Sequence, residues 1–528
     1  MRRTLAWSRT AIRGLLALSI AATLALPAAA QFGGGGGGLG GGGGGLGGGG
    51  GGLGGGGGGL GGGGGLGGGG GGLGGGGGLG GGGGGLGGGG GGLGGGGGGG
   101  VGSGVVVDAD GVMRSTTVAD PTGQLAQQRV RESLNRLEGD LTKPSELRKV
   151  SLTRLEDAVR ERLAAGEQPT DVMQNLAGLT RIDYVFCYPE TKEIVIAGPA
   201  EPWAVHPSGR TLGIQTASPV VELQDLIVAM RAFAPESDPD AAPLVYCSID
   251  PTQEGLARMQ QFLTRFGRAA TKADTQFIVN KLRESLGLQV ITIGGVPADT
   301  HFAQVLVEAD YRMKLIGIGL ENPIAPIKSY VARTNPAAVS RNALQRWYFV
   351  PDYERIKASE DGLAMELVGE GVKLVGEDEV VSSDGTRAQL GRTNRASRGF
   401  TENFTKEFPT LASVNPVYAQ LRNCIDLLVA AAYMRDRGFY DQTEWSIPVF
   451  GDEARYPVST YNAPQSVASA VNSIWKGSTL MTPIGGGVQI RPTEALATEN
   501  VATDEDGKLT AQRDAIIAGA EADRWWWD

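Results

Sequence analysis

The fold is decided by a stretch that reads Arg181-Ile-Asp-Tyr-Val-Phe-Cys-Tyr188, then Pro189-Glu-Thr-Lys192, then Glu193-Ile-Val-Ile-Ala197. Two apolar runs rich in β-branched and aromatic residues flank a short polar turn. This pattern predicts a β-hairpin.

Helical periodicity precedes the hairpin. Apolar residues recur at helical spacing in residues 124–137 and 145–165. Pro144 is typical of a helix start and Gly166 of a helix end, so we expect the second helix to occupy the whole interval between them.

Strand-like and helix-like segments alternate after residue 243. This alternation favours α/β units and a partly parallel sheet. A strand-rich region follows, with Asp361-Gly362 as a hairpin turn, and then a long apolar helix. The predicted strands are 244–250, 289–294 and 314–320, and the predicted helices are 252–267, 274–286, 299–312 and 416–437. The expected fold class is α+β, with mixed α/β units and a β-hairpin subdomain.

The chain divides into five predicted segments. These are a signal peptide (1–30), a disordered Gly/Leu-rich tether (31–104), a subdomain of helices and the β-hairpin (105–235), an α/β and helical subdomain (243–490), and a polar tail with a Trp-rich end (491–528).

The first residues predict export. Four arginines precede an apolar run from Leu15 to Leu26, and Ala28 and Ala30 form an A-x-A cleavage signal. The run is too short to span a bilayer core of roughly 30 Å. We therefore expect cleavage after Ala30, a secreted or periplasmic protein, and no transmembrane segment in the mature chain.

Glycine and leucine alone occupy residues 33–100. Glycine has the highest backbone entropy cost of folding, and sparse leucines bury too little apolar surface to offset it. This composition predicts disorder before the folded part of the chain.

The overall charge limits the partners. The chain has 47 basic and 56 acidic residues, a net charge of −9, and loss of the signal arginines would leave −13. This balance argues against nucleic acid and against docking to anionic lipid. The net charge does not exclude cell-wall material or a small ligand as the partner. With only two histidines in the chain, we expect no metal site, and no motif predicts a cofactor.

The three cysteines are Cys187, Cys247 and Cys424. Cys187 and Cys247 lie in strand-like apolar runs, where they are either buried free thiols or a disulfide pair permitted by an oxidising compartment. Cys424 lies in a helical pattern and is expected in the core.

Four candidate ligand-binding residues share the loop after the hairpin. They are Glu201, Trp203, His206 and Arg210. Loops held by a rigid pair of strands often bind ligands. The alternative is a Pro/Gly-rich surface loop with one packed tryptophan.

Two further acidic candidates lie downstream. Asp250 ends a predicted strand, a usual ligand position in open α/β sheets, although Asp-Pro also begins helices. Asp310 lies close to Arg312 and Lys314 near the end of a predicted helix. Acid–base catalysis needs two such groups in one cleft, so the catalytic residues stay unknown at this stage.

Two quoted stretches resemble a known family. The first stretch is Gly178-Leu-Thr-Arg-Ile-Asp-Tyr-Val-Phe-Cys-Tyr-Pro-Glu-Thr-Lys-Glu-Ile-Val-Ile-Ala-Gly-Pro-Ala-Glu201. The second is Ala309-Asp-Tyr-Arg-Met-Lys314 with the following Ile316-Gly-Ile-Gly-Leu-Glu321. Both resemble secreted bacterial proteins catalogued as domain of unknown function 1598. The resemblance covers roughly residues 124–450. It implies an exported protein and carries no known catalytic residue, substrate or cofactor.

Two functions follow as expectations. The first is a non-catalytic binding or assembly module of the cell envelope, and the alternative is a secreted hydrolase that uses Glu201, His206, Asp250 and Asp310. The tail is predicted to be helical over 512–527. Its tryptophans either dock on an envelope protein or glycan or pack on the chain's own core; these are Trp525, Trp526 and Trp527.

Overall fold

The computed structural model describes residues 104–116, 120, 122–237, 243–267, 270–335, 343–381, 387–389, 393–476, 479–481, 488–521 and 524–528. The predicted signal peptide, its cleavage after Ala30 and almost all of the Gly/Leu tract lie outside these residues.

Helices and strands both contribute to the fold, and the predicted α+β class is confirmed. The strands are β1 (Val105–Val107), β2 (Val112–Ser115), β3 (Ser145–Ser151), β4 (Tyr184–Tyr188), β5 (Glu193–Ala200), β6 (Trp203–Val205), β7 (Thr211–Gly213), β8 (Val245–Asp250), β9 (Leu288–Gly294), β10 (Ala343–Asp352), β11 (Arg355–Ala358), β12 (Ala364–Val368), β13 (Gly371–Val381), β14 (Arg387–Gln389), β15 (Ser466–Ala468), β16 (Ile474–Lys476), β17 (Thr479–Met481), β18 (Val488–Ile490), β19 (Val501–Thr503) and β20 (Trp526–Trp527). The α-helices are α1 (Gln124–Leu134), α2 (Leu152–Ala164), α3 (Asp171–Gln174), α4 (Leu223–Ala232), α5 (Gln253–Phe266), α6 (Thr275–Leu286), α7 (His301–Gly317), α8 (Tyr330–Arg333), α9 (Arg395–Lys406), α10 (Phe408–Val414), α11 (Pro416–Asp436), α12 (Phe439–Gln442), α13 (Pro492–Ala495) and α14 (Lys508–Ala518).

Two sheets organise the fold. The large sheet has the strand order β1-β2-β15-β9-β8-β18-β10-β13-β14, and the second sheet has the order β19-β11-β12-β4-β5-β3-β20. Each of the two sheets contains strands from before and from after the predicted subdomain boundary at residues 235–243. The division of the chain into two subdomains at this boundary stays a prediction. The predicted hairpin lies near the centre of the second sheet as β4 and β5, with Tyr184 opposite Ala197.

The large sheet is mainly antiparallel. Its strands β8 and β9 pair antiparallel, although helices α5 and α6 separate them along the chain, because the two helices pack against each other and return the chain beside β8. Parallel pairing joins β10 to β18, β15 to β2 and β11 to β19. The sheets therefore have some parallel pairs, but the α/β units do not produce them as expected.

Two predicted boundaries are wrong. Residues 145–151 form β3 rather than the start of a helix, and the side chain of Ser151 caps α2 by accepting a hydrogen bond from the Arg154 amide. Helix α7 continues to Gly317 through the predicted strand 314–320, because burial on nearly all sides of this helix hides the periodicity of one apolar face.

The tail also differs from its prediction. Its helix α14 ends at Ala518, and Trp526–Trp527 form an edge strand paired with β3. Trp527 is 3% exposed and its indole donates a 3.2 Å hydrogen bond to the Ile516 carbonyl. Of the two expectations for the tryptophans, packing on the chain's own core therefore describes Trp527.

The core is built around α11. This predicted apolar helix is buried along nearly its whole length and packs against α4 and α7. The three cysteines are buried free thiols, so the alternative Cys187–Cys247 bridge is absent. Among the described residues, no helix combines the length and hydropathy needed to cross a membrane.

Candidate functional site

Two of the predicted loop residues stabilise the loop itself. The Glu201 carboxylate, 4% exposed, accepts hydrogen bonds from the backbone amides of Gln215 at 2.6 Å and Thr216 at 3.1 Å. The buried Trp203 indole donates to Asp171 at 3.1 Å. Glu201 holds the backbone of its own loop in place, Trp203 ties the loop to α3, and both side chains are turned away from solvent.

The other two loop residues point to different surroundings. His206 is exposed and its Nδ1 lies 2.9 Å from the Ser208 hydroxyl. Partial burial and the nearby Arg210 and Arg129 lower the pKa of His206. Arg210 is buried, and it donates to Gln420 at 2.7 Å and to the Glu308 carboxylate. The four loop residues therefore do not form one exposed binding surface.

The two downstream acids lie beside β8 and within α7. Asp250 accepts a hydrogen bond from the Ser248 hydroxyl at the end of β8. Asp310 is fully buried in α7, and burial together with this carboxylate raises the pKa of the Cys247 thiol. The nearby Lys314 donates to the Ile249 carbonyl at 2.7 Å. By contrast, the side-chain hydrogen bonds of Glu201 and His206 stay within residues 201–218.

A buried polar network surrounds His301, at the start of α7. Its Nδ1 lies 2.8 Å from Asp225 on α4, and its Nε2 lies 3.4 Å from the amide nitrogen of Gln420 on α11. Burial alone would lower the pKa of His301, but Asp225 and the neighbouring Glu222 more than offset it and raise the pKa to about 10. The pairing of Asp225 with His301 could not be predicted from the sequence pattern, because the two residues are 76 positions apart.

The same network continues to a second ion pair. Glu308, 0% exposed, accepts from Arg210 and from the Gly104 amide at 2.8 Å. Arg312 lies 3.6 Å from the other Glu308 oxygen and 2.8 Å from Glu321. Buried charges are costly unless they are paired and hydrogen-bonded, and Glu308 and Asp225 each have a cationic partner, although one oxygen of each carboxylate accepts no hydrogen bond from the described residues. With a pKa raised to about 10, His301 is protonated at neutral pH and is not poised as a general base.

An open cleft of about 810 Å³ lies where the chain passes from the large sheet to the second sheet. Its walls come from β10, β13 and β18 on one side and from β11, α13 and β19 on the other. The polar and aromatic lining residues are Tyr348, Asp352, Tyr353, Glu354, Arg355, Lys373, Gln489, Arg491, Glu494, Glu499 and Asn500. This volume falls within the roughly 300–1,000 Å³ that is usual for ligand pockets.

The charges of the cleft are mixed. Its lining includes three cationic and four acidic side chains. Lys373 lies 2.6 Å from Asp352, and Arg491 lies 2.9 Å from Glu494. These pairs are exposed and therefore contribute little to stability. Arg355 is exposed and is in none of the ion pairs between described residues, so its guanidinium is open to a ligand.

The base of the cleft is rigid. The Tyr353 hydroxyl donates a 2.7 Å hydrogen bond to Asp426, which also accepts from Arg181 at 3.1 Å. Burial and then Asp426 raise the pKa of Tyr353. Gly371 has φ 70°, and a Cβ there would lie 2.6 Å from the Tyr353 ring. A glycine is therefore needed for the ring to lie against the start of β13.

The position of this cleft could not be predicted from the sequence. Its lining comes from residues 348–356, 373–375 and 489–502, so no local motif contains it. A partial signal is the alternation of β10, where Trp347 and Phe349 are buried while Tyr348 and Val350 are half-buried. Within the described residues, no group of three or more histidine, cysteine, aspartate or glutamate side chains is arranged to hold a metal ion.

Comparisons with known proteins give a family but no activity. No curated protein and no solved structure matches the chain. The matched segment begins at Cys247 in β8, contains the α5–α6 pair and α7, and ends at Tyr330; it includes Ala309–Lys314 and excludes the hairpin stretch of the resemblance. Residues 247–330 match the family described as "Protein of unknown function (DUF1598)", which confirms the resemblance over that segment.

Proposed function

We propose that this protein is an exported, non-catalytic binding module of the cell envelope, and that its ligand is an uncharged or zwitterionic polyhydroxylated molecule such as a cell-wall glycan. The observation that carries the proposal is the open cleft between the two sheets, with its volume of about 810 Å³ and its mixed polar lining. Export rests on the predicted signal peptide and cleavage after Ala30.

The charge balance of the cleft favours this ligand class. A polyanion would meet four carboxylates and a polycation would meet three cationic groups, so neither is well matched. Sugar hydroxyls both donate and accept hydrogen bonds, and so they suit carboxylates, guanidinium groups and amides together. The Tyr348 ring adds apolar surface with a polar end, whereas Tyr353 adds only its ring because its hydroxyl donates to Asp426.

The alternative is a hydrolase that uses Glu201, His206, Asp250 and Asp310. Catalysis would require these groups to meet around one substrate with separated pKa values. Glu201 and Asp310 are buried and Glu201 is fully engaged with its own loop, which favours binding over catalysis.

Titration with soluble cell-wall glycan fragments tests the proposal. We expect saturable binding in isothermal titration calorimetry with no product formed on long incubation. Arg355→Ala should weaken binding at least about tenfold, the effect of roughly 1.4 kcal/mol. Lys508→Ala, an exposed change on α14 outside the cleft, is the matched control. Unchanged binding by Arg355→Ala would reject the cleft, and turnover lost in Glu201→Gln would support the hydrolase.

A further inference from the structure

An exposed aromatic cluster lies on the α5–α6 pair, which we name the basic hairpin (residues 253–286). Phe262 and Phe266 of α5 and Phe277 of α6 have ring centroids 6.1 to 6.5 Å apart. Phe277 is 51% exposed, and the other two are half-buried. Three phenylalanines at one surface exceed what scattered exposed apolar residues explain.

The basic hairpin has a small hydrophobic core of its own, and the exposed Phe277 lies outside it. The inner faces of both helices pack in a small core of their own, which includes Leu256, Met259, Ile278 and Leu282. Phe277 lies beside that core, on the outer side of α6, since its neighbours Ile278 and Val279 are buried. The Phe277 ring therefore contacts Phe262 and Phe266 on one side and faces solvent on the other.

The charge of the basic hairpin is opposite to that of the whole chain. Residues 253–286 contain six basic and three acidic residues, whereas the chain has a net charge of −9. Arg258, four positions before Phe262, donates to the Ser285 carbonyl at 2.9 Å, and Lys281, four positions after Phe277, lies 2.6 Å from Glu284, so both of these cations have partners within the hairpin. Arg265 and Lys272 are exposed near the loop between the helices.

Positive charge beside exposed phenyl rings fits an anionic lipid surface. Lysine and arginine are attracted to anionic headgroups by about 1 kcal/mol each, and apolar rings insert at the boundary with the acyl chains. Protein interfaces instead favour tryptophan, tyrosine and arginine, whereas the rings here are all phenylalanine and lack a polar group. The acidity of the rest of the chain does not cancel this attraction, since salt screens charges beyond about 10 Å.

We propose that the basic hairpin docks this protein peripherally on an anionic membrane surface, with the exposed ring of Phe277 inserted between headgroups. The net charge of the whole chain predicts no such docking, but it averages over surfaces that face different ways. The docking is independent of the ligand in the cleft, because the cleft lies on other elements of the fold.

Vesicle co-sedimentation tests the proposal, with a chain that begins at Gln31 so that the apolar run of residues 15–26 cannot contribute. We expect binding to vesicles of equimolar phosphatidylcholine and phosphatidylglycerol, weakening as salt is raised, and little binding to phosphatidylcholine alone. Phe277→Ser should weaken partitioning about tenfold through lost apolar burial. Arg265→Glu with Lys272→Glu should weaken it at least as much.

Matched control variants distinguish a loss of membrane docking from a loss of folding. Ile324→Ser changes the most exposed large apolar side chain, 83% exposed and outside the basic hairpin, and should leave vesicle binding unchanged. All variants should retain the parent circular dichroism and unfolding midpoint. Equal binding to both vesicle types, or parent-like binding by the Phe277 and charge variants, would overturn the proposal. Retention on heparin without vesicle binding would also overturn it and would indicate a soluble acidic partner.

Discussion

The network around His301 and the cleft between the sheets hold the same kinds of side chain in opposite circumstances. In the network, buried charges meet partners inside the protein, as Arg210 does with Glu308 and His301 with Asp225. In the cleft, charges such as Arg355 face water. Buried ionic groups are costly to separate, whereas exposed ones can exchange water for ligand at little cost in stability. The difference predicts that the network stabilises the fold and supports the proposal that the cleft binds a ligand.

The largest effect should come from breaking the buried Arg210–Glu308 pair. Arg210→Met leaves the Glu308 carboxylate without its main cationic partner, and such uncompensated buried charges typically cost about 3–5 kcal/mol. Denaturant unfolding should show this loss in the free energy of unfolding. Arg524→Ala, a change in an exposed arginine, is the control and should cost less than about 0.5 kcal/mol. An equally small loss in Arg210→Met would mean that the network does not stabilise the fold.

A pH-dependent loss should follow from neutralising His301. Because its pKa is raised from 6.5 to about 10, the protonated form stabilises the fold fully below pH 6.5, and the stabilisation fades as pH rises through about 10. His301→Gln should therefore cost about 1.5–3 kcal/mol near pH 6, the range for hydrogen bonds to charged groups, and less at high pH. His206→Gln, in the exposed histidine, should show no comparable loss. A difference between parent and His301→Gln that grows with pH would contradict the assignment.

In the tail, the ion pair between Arg148 and Asp528 is less buried than the network around His301 and more buried than the charges of the cleft. Arg148 is 0% exposed and donates to both carboxylate oxygens of Asp528 at 2.8 and 2.9 Å, but Asp528 is itself partly exposed. Burial raises the pKa of Asp528, and hydrogen bonds from Arg148 and Ser145 more than offset this and lower the pKa below its ordinary 3.8. The bond to Arg148 therefore stabilises the fold above about pH 4 and is lost as pH falls through the lowered pKa.

Asp528→Asn should cost about 1–2 kcal/mol at neutral pH, less than the fully buried pair, because an amide still accepts one hydrogen bond from Arg148. Unfolding curves of parent and variant should converge as the solution is acidified below pH 4. Asp506→Asn is the matched control, since Asp506 pairs with Lys508 on the surface. A constant difference at all pH values would show that the charge of Asp528 is not the cause.

Much of the fold could be predicted wherever its signal is local. The hairpin β4–β5 and the helices α5, α6 and α11 follow from apolar spacing within each segment. Strand β3 was not predictable in this way, because residues 145–151 precede a true helix directly and were merged with it. The end of α7 was hidden for another reason, since a helix buried all round has no single apolar face.

The candidate site was less predictable than the fold. The cleft combines three segments that are far apart in the chain, and only strand pairing brings them together. The loop with Glu201 and His206 looked suitable because polar residues are close in sequence, but its buried members satisfy contacts within the protein. The net charge of the chain likewise does not show how charge is distributed, and residues 253–286 contain more basic than acidic residues.

The smallest change in stability should come from the cleft. Tyr348→Ser and Arg355→Ala alter a half-buried and an exposed side chain, and surface changes of this kind usually stay within about 0.5 kcal/mol. The same variants should lose most glycan binding. A large fall in the free energy of unfolding for Arg355→Ala would mean that the cleft, like the network, is part of the stabilising core.

Amide hydrogen exchange with and without saturating cell-wall glycan fragments shows directly where the ligand binds. We expect slower exchange confined to the cleft, in residues 348–356 and 489–502, with the loop 198–210 and the start of α7 unchanged. Slower exchange in residues 198–210 or at His301, with the cleft unchanged, would contradict this expectation and would return the functional site to the residues first chosen from the sequence.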